Sequence, residues 1–262
     1  MTARNIEWLV RAWKDAGVCN GDVLLLHASV KRTLSHNNSI AEGLRPEDIL
    51  ESFLDALGPN GTLVLPLFNF DFTNGVPFDI KSTPSHMGIL TEVARKRNDM
   101  VRTGHPVYSF GVLGRHSSIF EGVDNKSAYG HDSPFSILRD LDGKIGALDL
   151  DENDSMTFHH FVEESCQVGY RYYKTFTGSY TDFQGSTSIR EYLIYVRDLS
   201  LGIETYANPA GEKLWQAGLY SGCRPHIGSG LRTISARKMY AFMESVIRAG
   251  GAEGTLYRVA KL

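Results

Sequence analysis

The stretch from Asp154 to Ser165, DSMTFHHFVEES, holds two adjacent histidines with carboxylates on both sides. An imidazole has an ordinary pKa of about 6.5, so it can exchange a proton near neutral pH or bind a metal. A helix that begins near Asp154 would place Thr157, His160 and Glu163 on one face, at steps of three residues. Glu163 would then hold the His160 ring in one tautomer and stabilise the imidazolium, as the third member of a catalytic triad does. The spacing therefore predicts an acid–base site in which His160 takes up the proton.

Two other interpretations of these histidines compete with catalysis. The preceding letters DLDEND alternate acids as an EF-hand loop does, but Asp154 stands where that loop needs glycine and His160 where it needs glutamate. Adjacent histidines on a helix point about 100° apart, so His159 and His160 do not easily share one ion. We therefore expect no metal site. A buried histidine that donates to a nearby carbonyl, without any chemical function, remains the alternative to catalysis.

A second candidate site follows the first predicted strand, Asp22 to Ala28, in the letters DVLLLHASVKR. Backbone N–H groups, a hydroxyl and two cations would be offered there by Ser29, Val30, Lys31 and Arg32. If a helix or a turn begins at this point, these groups suit a phosphate. The chain has no GxSxG, GxGxxG or Walker-type glycine motif, so the sequence does not indicate an α/β-hydrolase, dinucleotide or P-loop site.

Short apolar runs alternate with helical patterns over the first 150 residues. Strands are predicted for Asp22–Ala28, TLVLPLF, YSFGVLG and KIGALDL, and helices for RPEDILESFLDALGPNG and for SHMGILTEVARKRN, whose N-cap candidate is Ser85. This alternation predicts a parallel sheet that is covered on both faces. The later runs VGYRYYKTFTGSY and STSIREYLIYVRDL predict antiparallel strands, and ISARKMYAFMESVIRAGG predicts a closing helix. The simplest account is one α/β domain over residues 1–262, with the histidines at the end of a strand, where open α/β sheets bind ligands.

Composition and charge restrict the kind of protein. Apolar residues make up 42% of the chain and charged residues 22%, as in soluble globular proteins, and the formal net charge is −3. A negative net charge favours neither nucleic acid nor an anionic membrane surface as a partner. Cys19, Cys166 and Cys223 form no CxxC pair, and neither a signal peptide nor an inserted membrane helix is evident, so we expect a cytoplasmic protein. A homo-oligomer is compatible with the sequence but is not specified by it.

Several segments, spread over almost the whole chain, resemble segments of one known protein family in the same order. In chain order they are HASVKR, GTLVLPLFNF, PFDIKSTPSHMGILTEVARKR, RTGHPVYSFGVLG, YGHDSPFSIL, DSMTFHHFVEE and IGSGLRTISARKMYAF. Together they resemble the aminoglycoside 3-N-acetyltransferase family, also called the antibiotic N-acetyltransferases. The most specific piece is Asp-x-x-Thr-x-x-His-x-x-Glu, matched by Asp154, Thr157, His160 and Glu163. The GHP and SP letters within these segments strengthen the match.

The resemblance implies a three-layer α/β/α fold with a mixed, largely parallel central sheet and an antiparallel C-terminal extension, unlike the GNAT acetyltransferases. It implies acetyl-CoA as the acyl donor and an amino group on a sugar or aminocyclitol as the acceptor. His160 matches the family's catalytic histidine, which would take a proton from the amine during direct acyl transfer, with Glu163 orienting the ring. Thr157 would donate to the thioester oxygen. The residues expected to contact CoA are Ser29, Val30, Lys31 and Arg32 at its phosphates and Ser109 along its pantetheine arm.

The identity of the acceptor stays open at this level. Asp71 and Asp79 lie among phenylalanines in FNFDFTNGVPFD and would receive a cationic substrate whose sugar face stacks on the rings, although solvated loop acids need no function. The acceptor is either a polycationic aminoglycoside or an amino sugar, and the small number of acids favours the amino sugar. For a nucleotide-linked sugar, the cations available to the diphosphate are Arg171, Lys174 and Arg224. Two rivals remain: a noncatalytic protein that binds CoA or a sugar, and a hydrolase that uses the same dyad on a thioester or amide.

Overall fold

A computed structural model describes residues 6–36 and 43–260 of the chain. The helices are α1 Glu7–Asp15, α2 Lys31–His36, α3 Pro46–Leu57, α4 Ile89–Arg95, α5 Ser117–Phe120, α6 Pro134–Asp140, α7 Glu152–Ser155, α8 Phe158–Ser165, α9 Asn208–Gln216 and α10 Ala236–Arg248. The strands are β1 Val23–Ala28, β2 Thr62–Pro66, β3 Phe78–Asp79, β4 Val101–Arg102, β5 Phe110–Gly114, β6 Lys144–Leu148, β7 Arg171–Thr181, β8 Thr187–Arg197, β9 Ile203–Thr205, β10 Ser221–Gly222, β11 Leu231–Ser235 and β12 Tyr257–Val259. Across these described residues, no helix combines the length and the apolar character that a membrane span requires.

The central sheet has seven strands in the order β10-β11-β6-β1-β2-β5-β4. Its centre is parallel, because β1 pairs in the same direction with both β2 and β6. The strands on either side of this centre run antiparallel, β11 next to β6 and β5 next to β2. The predicted α/β fold with a mixed central sheet is thus confirmed.

The more specific prediction that the run YSFGVLG continues a parallel sheet is wrong. This run forms β5, which is antiparallel to β2. After α4 the chain enters the sheet as the edge strand β4, and a hairpin then folds β5 between β4 and β2. His105 fixes the hairpin, because its Nδ1 accepts the N–H groups of Val107 (3.2 Å) and Tyr108 (3.0 Å). Only two residues form β4, which is too few to produce a readable pattern in the sequence.

Helices cover both faces of the central sheet, as the sequence predicts. Side chains alternate along β1, so that Leu24 and Leu26 lie in one core while Val23 and Leu25 lie in the other. The first core also contains side chains of α1, α3 and α4, and the second contains side chains of α6, α8 and α10. A strand that is buried on both faces reads as a continuous apolar run, which explains the letters VLLL.

A long hairpin lies outside the central sheet. β7 and β8 pair antiparallel over 11 residues each, and β3 joins β7 as a third, parallel strand. The antiparallel strands predicted from VGYRYYKTFTGSY and STSIREYLIYVRDL are therefore confirmed. This hairpin supplies one wall of the cleft described below.

Two predicted helices begin later than expected. Ser85 does not cap α4, which begins at Ile89 after Gly88, a residue with φ 109°. Instead, the Ser85 hydroxyl accepts the N–H of Met87 at 3.0 Å in the preceding turn. The helix expected to begin near Asp154 is divided into α7 and α8, because a turn at Met156 separates them.

Candidate active site

The candidate site lies at the edge of the central sheet where β1 and β6 both end. These strands are parallel neighbours, so the loops that follow Ala28 and Leu148 lie side by side, and the N–H of Ser29 donates to the Leu148 carbonyl at 2.9 Å. The first loop leads into α2 and the second into α7 and α8. Thr157 is the N-cap of α8 and has helical backbone angles, φ −55° and ψ −22°, so the three-residue step to His160 is kept.

His160 and Glu163 are in direct contact. Nδ1 of His160 lies 2.7 Å from Oε2 of Glu163, whose other oxygen accepts the Tyr170 hydroxyl at 2.9 Å. Nε of Arg171 lies 2.8 Å from Oε2 of Glu163 and forms an ion pair with it. The Glu163 side chain is 1% exposed and that of His160 is 22% exposed, so the imidazole reaches solvent while the carboxylate does not. Because a carboxylate can only accept, Nδ1 of His160 holds the proton and Nε2 keeps a free lone pair.

The charge state of this pair follows from its contacts. Burial alone would raise the pKa of Glu163, but the Arg171 guanidinium and the bonds from His160 and Tyr170 bring that pKa below its ordinary value. Burial and then the Arg171 charge lower the pKa of His160, and the bond to Glu163 only partly opposes them. At neutral pH the pair is therefore a carboxylate beside a neutral imidazole, which is the state that a general base requires.

An aromatic wall borders the His160 ring. The ring centroid of Tyr129 lies 5.3 Å from that of His160, and Tyr108 lies 4.9 Å from Tyr129. Phe70 continues the series at 5.9 Å from Tyr108. Burial raises the pKa of both tyrosines, so their hydroxyls stay protonated. Sequence reasoning missed these tyrosines, because a single tyrosine in VYS or AYG has no spacing that indicates a site.

Two cavities share His160 as a lining residue. The hairpin cleft, with a volume of about 320 Å³, is lined by His160, Tyr108, Tyr129 and residues of β7 and β8. The helix pocket, with a volume of about 70 Å³, lies between α7 and α8. The structure brings together in this pocket the four motif residues, Asp154, Thr157, His160 and Glu163.

A third cavity, the loop cleft, lies beside the loop that follows β1. It has a volume of about 340 Å³, is lined by Ser29, Val30 and Lys31, and shares Asp154 with the helix pocket. Lys31 is exposed at this cleft, as a phosphate-binding cation would be. The side chain of Val30 is buried in the core, so only the backbone of this residue remains available to a ligand.

Arg32 is bound within the protein, which speaks against its predicted contact with a CoA phosphate. Its Nε and Nη2 donate to the two carboxylate oxygens of Asp149 at 2.8 and 3.0 Å. Nη1 and Nη2 also donate to the Gly228 carbonyl, both at 3.1 Å. The guanidinium therefore neutralises the buried Asp149 and ties two loops together.

Ser109, which is predicted to lie along the pantetheine arm, is buried as well. Its hydroxyl donates to the Leu67 carbonyl at 3.1 Å and accepts from Nε and Nη2 of Arg102, both at 3.2 Å. The side chain is 0% exposed, so its role is to hold the buried Arg102 beside β5.

The two predicted substrate acids lie in different surroundings. Asp71 is half-exposed, and its Oδ2 lies 3.4 Å from Nε2 of His86, which lines the loop cleft. Oδ1 of Asp79 accepts the N–H groups of Lys81 (2.8 Å) and Ser82 (3.2 Å). Asp79 therefore fixes a local turn, and only Asp71 of this pair lies beside a cavity of the candidate site.

His159, for which the sequence indicates no role, belongs to a separate buried network. Its Nε2 lies 2.9 Å from Oε1 of Glu152, and the same oxygen accepts the Tyr220 hydroxyl. The other oxygen of Glu152, Oε2, lies 3.2 Å from Nη2 of Arg232. This network joins α7 and α8 to β11. Within residues 6–36 and 43–260, no three His, Cys, Asp or Glu side chains are grouped as metal ligands would be.

The three cations named for a diphosphate lie in two places. Arg171 and Lys174 line the hairpin cleft. Arg224 lines another cavity, of about 800 Å³ beside α9, where it is ion-paired with Glu212. Arg224 is therefore separate from the hairpin cleft.

A neutral imidazole that is held by a buried carboxylate and bordered by clefts has the geometry that a general base requires. Residues 25–248 match the model of the aminoglycoside 3-N-acetyltransferase family, and the chain belongs to this family. A curated relative, aminoglycoside N(3)-acetyltransferase IV of Salmonella sp, is 27% identical over 171 residues. This match covers 63% of the chain and 62% of the relative, so it spans less than two thirds of the relative's length.

Solved structures of similar fold include AAC-IIIb in a binary complex with CoASH, at a TM-score of 0.79 and 19% identity, over 94% of this chain and 97% of that one. AAC(3)-IIb has a TM-score of 0.78 at 17% identity, over 95% and 98% of the two chains. AAC-VIa bound to sisomicin has a TM-score of 0.74 at 21% identity, over 96% and 100%. At these identities the likeness concerns the fold, and it agrees with the α/β fold expected from the sequence.

Proposed function

We propose that the protein transfers an acetyl group from acetyl-CoA to an amino group of an aminoglycoside or amino sugar, with His160 as the general base. The observation that supports this most strongly is the neutral His160, whose tautomer is fixed by Glu163 and whose ring lines two adjoining cavities. Family membership supports acyl transfer, and a structural neighbour described with CoASH supports CoA as the carrier.

The proposed reaction is a direct attack of the acceptor nitrogen on the thioester carbon. An amine is mostly protonated at pH 7, so the small neutral fraction is the form that attacks. As the N–C bond forms, Nε2 of His160 takes a proton from the nitrogen. As the C–S bond breaks, the CoA sulfur leaves with the electron pair and receives that proton, so the products are an amide and a free thiol.

The residues around His160 support each stage of this transfer. Glu163 stabilises the imidazolium, because its carboxylate lies 2.7 Å from Nδ1. Arg171 keeps Glu163 ionised, because its Nε lies 2.8 Å from the same carboxylate. The Thr157 hydroxyl, in the helix pocket, would donate to the thioester oxygen as negative charge develops there.

We assign the loop cleft to acetyl-CoA and the hairpin cleft to the acceptor. The loop cleft offers Lys31 and the Ser29 hydroxyl, which suit a phosphate, and it adjoins the helix pocket at Asp154. The hairpin cleft offers the Tyr108 and Tyr129 rings, on which a sugar face can stack beside His160.

Labelled acetyl-CoA and a panel of amines test the proposal. We expect one acetylated amine for each CoA thiol released, and loss of both products in His160→Ala. Labelled acetate without amide would instead indicate a hydrolase. Binding of CoA without turnover of any amine would indicate a noncatalytic protein.

A further inference from the structure

The hairpin cleft has an excess of positive charge. Arg171, Lys174 and Arg197 line it, and none of the described residues that line it is an aspartate or a glutamate. Glu163 is buried beneath His160, and its charge is already bound by Arg171. A ligand in this cleft therefore meets cations without acids between them.

Two of these cations are available to a ligand. Arg171 is committed internally, because it pairs with Glu163 and its Nη1 donates to the Tyr195 carbonyl at 3.1 Å. Lys174 is exposed, with Nζ 5.2 Å from the centre of the Phe176 ring, and Arg197 is exposed and donates to Thr205 Oγ1. In the part of the chain that the structure describes, neither Lys174 nor Arg197 has a carboxylate partner.

The alternation of β7 places aromatic rings on the same face as Lys174. Tyr172, Lys174 and Phe176 occupy every second position of this strand and all line the cleft. Val196 and Ile194, which pair with Tyr172 and Lys174 across the hairpin, complete the face. Tyr172 is 47% exposed. An exposed ring beside an unpaired cation suits a ligand that combines a sugar or base face with an anion.

The small size of the hairpin cleft indicates that its anion belongs to the acceptor and not to CoA. His160, Lys174 and Arg197 line one cavity of about 320 Å³, which is at the small end of the range of about 300–1,000 Å³ for ligand pockets. By register Arg197 pairs with Arg171, so it lies on the opposite face of the hairpin from Lys174, and the two cations reach this cavity from two sides. A small molecule in a cavity of this size can therefore place an amine at His160 and an anion near these cations. In CoA, by contrast, the long pantetheine arm separates the thioester from the phosphates.

We propose that the acceptor is an amino sugar that bears a phosphate or a diphosphate, with the anion bound by Lys174 and Arg197 and the amine placed at His160. This inference rests on the proposed acetyl transfer and names its substrate class. A polycationic aminoglycoside would bring several positive charges against Lys174 and Arg197, and like charges that face each other reduce affinity. A phosphate gains charge-assisted hydrogen bonds from the same two side chains.

Matched acceptors test the inference in steady-state assays with acetyl-CoA. The set is glucosamine, glucosamine 6-phosphate, UDP-glucosamine and kanamycin, measured at low and at high salt. We expect kcat/KM to be about 10-fold or more higher for a phosphorylated sugar than for glucosamine, and we expect salt to reduce this preference. The better of the two phosphorylated sugars distinguishes a monophosphate from a nucleotide diphosphate.

Substitutions then assign the preference to the two cations. Lys174→Gln and Arg197→Gln should each reduce the preference for the phosphorylated acceptor by about 10-fold, the effect of one lost hydrogen bond to a charged group. Lys238→Gln is the matched control, because Lys238 is exposed on α10 and does not line the cleft. Its preference should equal that of the unaltered protein.

Three results would overturn the inference. Kanamycin could be the best acceptor, the preference could persist in both variants, or the variants could raise the KM of acetyl-CoA instead, which would assign the cations to CoA.

Calorimetry with UDP-glucosamine separates this inference from the proposed function. Binding that is lost in Lys174→Gln, together with no transfer to any amine, would support the anion site and refute acetyl transfer. Transfer to amines without any preference for phosphate would refute the inference alone.

Discussion

His159 and His160 are adjacent in the chain, yet their imidazoles bind different carboxylates. Nε2 of His159 lies 2.9 Å from Oε1 of Glu152, and Nδ1 of His160 lies 2.7 Å from Oε2 of Glu163. Successive residues of a helix point about 100° apart, so one ring faces the buried network and the other faces the cleft. The His159 side chain is 2% exposed and that of His160 is 22% exposed. We therefore expect a structural role for the first and a catalytic role for the second.

Replacing each histidine by alanine should separate these two roles. His160→Ala should lower kcat/KM by about 10²–10⁴-fold, because it removes the general base, while CoA still binds. His159→Ala should affect kcat/KM far less but should lower the free energy of unfolding by about 1–3 kcal/mol, because buried Glu152 loses a hydrogen bond. Turnover, CoA affinity and urea unfolding of both variants provide the test. Equal losses of kcat/KM in the two variants would contradict the division of roles.

The His160–Glu163 pair could be predicted from the sequence because it is local. Steps of three residues place side chains on one helical face wherever the helix begins, so the prediction survives the later start of α8. Arg171 offers no such signal, because the first residue of β7 reaches Glu163 only through the turn that follows α8. The ion pair between Arg32 and Asp149 could not be predicted from the sequence either, because the two residues lie 117 positions apart. Local periodicity reports which residues share an element, but it does not report which charges are paired across the fold.

The direction of individual strands was also hidden from the sequence. β2 and β5 are both short apolar runs, and the same letters suit a parallel or an antiparallel neighbour. The His105 hairpin decides the direction of β5, and it depends on bonds from the imidazole to two backbone N–H groups. The letters GHP, from Gly104 to Pro106, thus have a structural role, because His105 fixes the hairpin between β4 and β5. No periodic residue pattern indicates this role.

Arg171 should set the pH range of the reaction. Its charge lowers the pKa of His160. When kcat/KM is divided by the fraction of the amine that is neutral at each pH, it should therefore stay on a plateau down to a pH below the ordinary histidine value of about 6.5. Removing the charge in Arg171→Gln raises the pKa of His160, so the acid limb of the pH profile should move to higher pH. Arg171→Lys keeps the charge and should move the limb less. An acid limb that stays in place in Arg171→Gln, with the variant folded, would remove Arg171 from this positioning role.

Lys31 and Arg32 should behave differently although they are adjacent cations. Lys31→Gln should raise the KM of acetyl-CoA, and added salt should narrow the difference from the unaltered protein, because Lys31 is exposed at the loop cleft. Arg32→Gln should mainly lower stability, by up to about 3 kcal/mol, because it leaves the buried Asp149 without its cation. Calorimetry with CoA and thermal unfolding of both variants distinguish the two effects. Unchanged CoA affinity in Lys31→Gln would exclude this loop from the CoA site.

Buried histidines should make the fold sensitive to mild acid. Burial lowers the pKa of His27 to about 3, and it lowers that of His105 to about 3 as well, so both stay neutral in the folded protein. In the unfolded chain their pKa returns to about 6.5. The unfolded state therefore binds more protons below this value, so the stability is fully present above pH 6.5 and is lost as the pH falls towards the folded values.

One pH unit below the unfolded pKa, each buried histidine should cost about 1.4 kcal/mol of stability. His160, whose pKa is lowered to about 4, contributes in the same way as His27 and His105. With three histidines we expect the free energy of unfolding to fall by about 4 kcal/mol between pH 7.5 and pH 5.5, as measured by urea titration at both values. His105→Asn tests the assignment, because an asparagine oxygen can replace Nδ1 as acceptor for the Val107 and Tyr108 N–H groups without titrating. This variant should lose about two-thirds as much stability over the same interval, because His27 and His160 still titrate. A free energy of unfolding that is equal at both pH values in the unaltered protein would show that these histidines are not held neutral by the fold.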